Sequence, residues 1–449
     1  MTARTALSLQ TGLGTLQEKV ADVLKLAKEL GATQAEAHAN FGTGFSVNVR
    51  MREVETLRHQ RDQGVSVTVW LGHRKGSAST SDLRPEALGE SVRKACALAK
   101  YGAEDPASGL ADAHRLASSI PDLSLYHPWN IEPAAAIELA MACEAAALDH
   151  DPRVTNSEGA SVSTSEGLRV YGNSHGFLGG YQESDHSISC SVVAAQDGAM
   201  ETDYEYAVAR DAADLPSAAG IGAEAGRRTV ARLGGTKLET RTAPVLFPAR
   251  VARGLIGHLL SAISGGALYR KSSFLVDALG RPVFASRVTI DEKPHLQKAL
   301  NSAPFDNEGV ATMERRLVDA GVLGGYLLGS YYARKLGMQT TGNAGGAHNV
   351  VVHSTGESFD DLLRQMDTGL VLADVMGNGV NPVTGDYSMG ASGFWVEKGT
   401  IQYPVTEITI AGNLKDMYRQ ILGIGTDVDR RGGVLTGSIL VEEMTIAGS

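Results

Sequence analysis

The chain has 449 residues, 43% of them hydrophobic and 20% charged, which is too apolar for a disordered tail and long enough for two to four domains at roughly 100–200 residues each. Its 41 Lys and Arg stand against 51 Asp and Glu, and the net charge of −10 without a block of like charge argues against a nucleic-acid surface, which needs clustered cations. Three cysteines (Cys96, Cys143, Cys190) without a Cys-x-x-Cys pair read as buried free thiols in a reducing compartment, which points to the cytoplasm. The N-terminal MTARTALSLQTGLGTLQEK has no apolar core of signal-peptide length. The longest apolar run, near Gly321 to Ala333, is too short and glycine-rich to span a bilayer, so no membrane contact is expected.

Residues 15–31 predict an amphipathic helix, with Leu16, Val20, Val23, Leu24, Ala27 and Leu30 at three- and four-residue steps and Gly31 as its C-terminal cap. Strict alternation then predicts strands with one buried face: Ala35 to Phe41, Phe45 to Met51, and Val65 to Val69. A helix from near Ser81 closes a unit spanning 1–105. Residues 106–132, with Pro106, Pro121 and Pro128 and little periodicity, suit a linker on the surface. The same order recurs over 133–236: an Ala-rich helix at 133–149, strand-like runs at 161–171, 177–181 and 187–194, and a helix at 218–233. This reads either as a duplicated α+β unit or as two ordinary α+β layers in the same order, since no residue-level identity decides between them.

From about Lys237 to the end at 449, short strands (243–247, 350–353, 394–396, 401–405, 408–410) alternate with glycine-rich turns, interrupted by helices near 250–263 and 358–366. That pattern predicts a β-rich, antiparallel, barrel-like domain. The fold class is therefore α+β, with helix-flanked antiparallel sheets in the N-terminal half.

A helical zinc site needs two histidines on one side of a helix and a nearby carboxylate to activate water. His258 is the one histidine in its helix (GHLLSA, 257–262), and neither Ala262 nor Ile263, four and five positions on, can bind a metal. His348 and His353 lie five apart in a strand pattern, which puts them on opposite faces. No metal site is readable. Gly172-Asn173-Ser174-His175-Gly176 fits the G-x-S-x-G of serine hydrolases, but the strand-like residues after it predict a hairpin where the hydrolase elbow requires a helix. Gly342 to Gly346 lacks the Gly-Lys-Ser/Thr of a P-loop, and Gly220-Ile221-Gly222 follows no strand, which removes a dinucleotide fingerprint. Tyr269-Arg270-Lys271-Ser272-Ser273 has two readings of equal weight. It is a solvated helix-to-loop junction whose cations offset the dipole, or a group of donors lining a surface for an extended peptide. Tyr269, Arg270, Lys271, Asn343 and His348 are the candidates for such a lining.

The block Met376 to Tyr418, with its Gly-Asp-Tyr-Ser turn, Gly-Phe-Trp-Val-Glu strand, Tyr-Pro-Val-Thr-Glu step and Ile-Ala-Gly-Asn-Leu-Lys-Asp-Met close, resembles the C-terminal domain of PmbA/TldE proteins. The likeness extends through Arg74 to Ser79, Gly172 to Gly176, Tyr269 to Ser272 and Asn343 to Gly346, over nearly the whole chain. The resemblance implies a subunit of a cytoplasmic TldD/TldE-type metalloprotease that takes unfolded peptides and small proteins, including precursors of peptide antibiotics and antitoxins. It implies a heterodimer with a TldD-type partner, and that the zinc belongs to that partner, with no cofactor in this chain. The TldD helix carries H-E-x-x-x-H. The resemblance places Gly257 and Ala262 at its histidines and His258 at its catalytic Glu, and no cysteine follows Cys190 to match a further TldD feature. Two other readings stay open: a self-sufficient homodimeric metallopeptidase, and a protein-binding regulator of the DNA gyrase modulator type.

Overall fold

A computed structural model of the chain describes residues 9–448; residues 1–8, part of the N-terminal stretch without a signal-like core, lie outside them. Helix α1 (Leu9–Glu29) leads into β1 (Gln34–Arg50), β2 (Glu53–Leu71), β3 (Arg74–Thr80) and α2 (Pro85–Tyr101). After an irregular stretch come α3 (Pro133–Leu148), β4 (Val154–Asn173), β5 (Leu178–Gln196), β6 (Ala199–Ala209) and α4 (Ala218–Ala231). The six strands form one antiparallel sheet in the order β3-β2-β1-β4-β5-β6, because β1 pairs with β4 along its length. The two units read from the sequence thus share a single sheet.

The side-chain period of two explains how one sheet carries two cores. Odd residues of β1 near its start (Ala35, Ala37, Ala39, Phe41) pack with Leu168 and Val170 of β4 beneath α1 and α2. Val47 and Val49, of the same parity, pack with Ala160 and Val162 beneath α3 and α4. The runs at 35–41 and 45–51, expected as separate strands, are therefore one strand whose alternation continues through Gly42 and Gly44. Its hairpin turns at Met51 and Arg52, both in the left-handed region (φ 50° and 66°). The fully buried Glu144 of α3 accepts hydrogen bonds from both of their amides, at 2.9 and 2.7 Å, which holds a turn that lacks glycine.

The segment expected as a surface linker is partly interior: Leu110, Ala111, Leu123 and Leu125 are buried. Its backbone lacks regular partners, so its carbonyls need donors from elsewhere. Arg334 supplies them to Ala107, Gly109 and Leu110.

The C-terminal half begins with β7 (Arg241–Phe247), α5 (Ala249–Ala262), α6 (Gly265–Tyr269), β8 (Ile290–Glu292), β9 (Arg315–Asp319), β10 (Val322–Leu323), α7 (Ser330–Lys335) and β11 (Val350–Val352). It continues through α8 (Phe359–Met366), β12 (Gly369–Met376), β13 (Asp386–Glu397), β14 (Thr400–Asn413), α9 (Leu414–Arg419), β15 (Ile421–Ile424), β16 (Val434–Leu435) and β17 (Ile439–Ala447). Strands β14-β13-β12-β7-β17 close into a barrel through a β14–β17 pairing. A second sheet runs β10-β9-β8-β11-β16. The expected antiparallel character holds except for two parallel pairs, β7–β12 and β11–β16. The strands expected at 401–405 and 408–410 are both β14, which bulges between Val405 and Ile408 with Glu407 at φ 52°. Both barrel faces are buried: Val245 and Phe247 meet α5, while Leu246, Val371, Val396 and Leu440 pack under α8.

The even residues of β1 face away from the helices, toward the C-terminal half. Glu36 receives a hydrogen bond from the Tyr171 hydroxyl at 3.1 Å, and His38 lies 4.7 Å from that ring. Burial pushes the Glu36 carboxyl up to about 7 and holds the His38 ring down to about 4. A carboxyl raised on folding stabilises the protein below its unfolded value and loses that contribution as pH rises through the folded one. Glu36→Gln removes the loss and can still accept from Tyr171. Urea denaturation should show the variant gaining on the parent, by on the order of 2 kcal/mol, as pH goes from 5 to 8; a pH-independent difference contradicts the assignment.

Candidate functional site

A cleft of about 1020 Å³ opens in the C-terminal half between α5, the α6 turn, the start of α7 and the loop 343–348. Its floor rests on Glu292, which is 1% exposed at the end of the short strand β8. Arg315 of β9 donates from Nε and Nη2 to Glu292 Oε2, at 2.9 and 2.7 Å. Asn343 Nδ2 and the His348 amide donate to Oε1, at 2.7 and 2.8 Å. Asn343 Oδ1 in turn accepts from Arg315 Nη2 and from the Thr341 hydroxyl. A buried carboxylate is tolerated when donors fill its lone pairs, and here they tie β8, β9 and the loop into one piece.

Beside it, Asp306 accepts from the amides of Glu308, Val310 and Ala344. Burial, with the Glu308 carboxylate nearby, raises it to about 7. Glu308 lines the cleft and accepts from the Ser330 amide at 2.9 Å. The loop turns at Gly345 (φ 106°), where a Cβ would meet Asn307 Nδ2 at 2.4 Å, so a side chain there fails both on backbone and on space.

Four of the residues singled out from sequence line this one cleft: His258, Arg270, Asn343 and His348. Tyr269 and Lys271 are not among its lining residues. Tyr269 is half exposed with Lys335 over its ring, and Lys271 sits at φ 54° beyond the end of α6. Arg270 closes that turn and faces the cleft with one side-chain hydrogen bond, to the Tyr332 hydroxyl at 3.3 Å, leaving most of its donors open. His348 engages the Gly342 carbonyl through Nε2 at 3.0 Å, and burial holds its ring below the usual range. His348 and His353 both lie outside β11, so the strand-face argument does not apply to them, and His353 Nε2 meets Asp291 Oδ2.

His258 is half-buried on α5, edge-on to Tyr387 at 5.9 Å, and its proton affinity is lowered by burial. Gly257 and Ala262 offer no ligand atom. Among the described residues no group of three or more His, Cys, Asp or Glu side chains is placed to hold a metal ion. The donor set of the cleft does not fit a catalytic zinc. Gly172 to Phe177 forms the predicted hairpin between β4 and β5, and Ser174 Oγ accepts from the Ala35 amide, a structural task. Sequence reading missed Glu292, Arg315, Asp306 and Tyr332.

Model matches to this chain cover the PmbA/TldA metallopeptidase domain 1 at residues 35–99, its central domain at 126–233 and its C-terminal domain at 240–448. Metalloprotease PmbA of Escherichia coli O157:H7 is 49% identical over 433 residues, 96% of each chain. A Bacteroides thetaiotaomicron VPI-5482 crystal structure, described in terms of DNA gyrase modulation, superposes with a TM-score of 0.93 at 27% identity, covering 99% of this chain and 100% of the other. TldE from Thermococcus kodakarensis shares the fold, with a TM-score of 0.83 at 20% identity over 96% of this chain and all of that one.

Asn343→Ala should destabilise the chain by about 2–3 kcal/mol, and Arg315→Leu, which strands a buried carboxylate, by about 3–5 kcal/mol. Arg270→Ala should stay within about 0.5 kcal/mol of the parent. Urea midpoints followed by tryptophan fluorescence test the order, and equal losses in all three would contradict it.

Proposed function

The chain belongs to the PmbA/TldD metallopeptidase family, and we propose that it serves there as the metal-free subunit of a TldD/TldE-type peptidase, holding an unfolded peptide while a TldD-type partner supplies the zinc. The observation that carries this reading is α5, whose cleft wall presents His258 with Ala262 four positions on and no second ligand, where a helical metal site needs paired ligands. The cleft itself is intact and rigidly floored, so binding is retained where metal chemistry has no footing.

In this reading the open donors of Arg270 take a peptide carbonyl or the terminal carboxylate, and the Glu292 network keeps Asn343 and His348 at fixed positions on the floor. Strand β16, at the edge of the five-stranded sheet, borders the cleft at Val434, where an extended chain can add main-chain hydrogen bonds. Neutral His258 accepts or donates a hydrogen bond to substrate and moves no proton through a metal-bound water. Substrates are unfolded peptides and small proteins, the setting is the cytoplasm, and the division at 1–105, 133–236 and 237–449 describes the functional pieces.

Digestion of an unfolded peptide by this chain, by a TldD-type partner, and by the mixture, each with and without chelator, tests the proposal. The expected result is cleavage by the mixture alone, abolished by chelator. Chelator-sensitive cleavage by this chain alone would contradict it. In the mixture, Arg270→Ala should raise KM about tenfold with kcat little changed, as expected for loss of one charged hydrogen bond made equally in ground and transition states.

A further inference from the structure

A second cavity of about 420 Å³ lies between the N-terminal sheet with its α4 helix and the outside of the barrel, apart from the cleft. Its polar wall holds Arg227 and Arg228 of α4 and Arg250 of α5 with a single carboxylate, Asp203 of β6. Its barrel side is apolar, with Phe394 and Ile401 among the lining residues. Arg227 is paired with Glu224, and Arg232, just behind the wall, is paired with Glu201. Arg228, Arg232 and Arg250 all reach Asp203, at 3.3, 3.7 and 3.7 Å, so the four arginines Arg227, Arg228, Arg232 and Arg250 face the three carboxylates Asp203, Glu201 and Glu224, an excess of one positive charge.

Neither guanidinium is well served. Their side chains are only 17% and 13% exposed. Arg228 makes one long hydrogen bond, to Asp203 at 3.3 Å, and its buried Nε has no partner. Arg250 makes one, to the Tyr204 carbonyl at 3.4 Å, and otherwise stacks on the Tyr204 ring. A guanidinium has five N–H donors, and a buried one left this empty is costly unless an anion completes it. Arg250 also stands in the first turn of α5, which contains no acidic residue, so the positive end of that helix adds to the same excess.

We propose that this cavity binds an amphiphilic monoanion: a carboxylate received by Arg228 and Arg250, attached to a compact apolar body that packs on Phe394 and Ile401. The C-terminal residue of an apolar peptide has this chemistry, and so does a free fatty acid. The site is independent of the peptide cleft and stands whether or not that cleft works as proposed above.

Titration calorimetry of the full chain with N-acetyl-phenylalanine, its amide, octanoate and octanol tests it. The acids should bind at least tenfold tighter than the amide and the alcohol. Tighter binding of N-acetyl-phenylalanine than of octanoate assigns the site to peptide ends, and the reverse order to fatty acids. Arg228→Gln should weaken the acids about tenfold or more. Ile401→Trp, a change at an exposed position at the mouth, should block them with the thermal midpoint unchanged. Acids that bind no better than their neutral analogues would overturn the proposal. So would acid binding that survives both substitutions, or that disappears with Arg270→Ala instead.

Discussion

A carboxylate taken out of water must be met by donors on both oxygens, and Glu292 is the point where this protein meets that demand. Two nitrogens of Arg315, the amide of Asn343 and the backbone of His348 converge on it. Because these donors come from two strands and a glycine-rich loop, the ion pair sets the shape of the cleft floor as well as its stability. Asp306 repeats the device with three backbone amides a few residues away. The two carboxylates behind the cleft are thus already engaged by donors, while Glu308, which lines it, accepts from the Ser330 amide.

The N-terminal half contributes by a different constraint. One sheet carries helices on a single face, so its other face is left to meet the C-terminal half, and Glu36, His38 and Tyr171 stand there. The halves are further joined by arginines that reach across: Arg334 to the irregular segment after α2, Arg431 to Glu205 and the Tyr206 carbonyl, and Arg210 to the Leu300 carbonyl. Each is a multi-donor cation placed against carbonyls that secondary structure leaves unpaired. The surplus of such cations around Asp203 stands out because it lacks the matching acceptors.

Much of this was legible in the residues. Alternation at 35–41 and 65–69 located strands and their buried faces, the apolar steps of Leu16 to Ala27 located α1, and the turn at 172–177 was read as a hairpin. What failed was continuity. Gly42 and Gly44 hide the middle of β1, the polar run Gln182 to His186 hides the middle of β5, and the bulge at Thr406-Glu407 splits β14. A strand that loses its apolar signal for a few residues keeps its backbone pairing, and pairing is not written in local composition. His258, Arg270, Asn343 and His348 were found because their types or motifs stand out. Glu292 and Arg315 were not, since a long-range ion pair 23 residues apart leaves no local spacing to read.

The proposed role for this chain requires that the α5 cleft hold no metal. The most direct measurement is elemental analysis of the purified chain after equilibration with zinc and removal of free ion. The account predicts far less than one zinc per chain and an unchanged thermal midpoint. One tightly held zinc per chain, lost together with stability in His258→Ala, would contradict it.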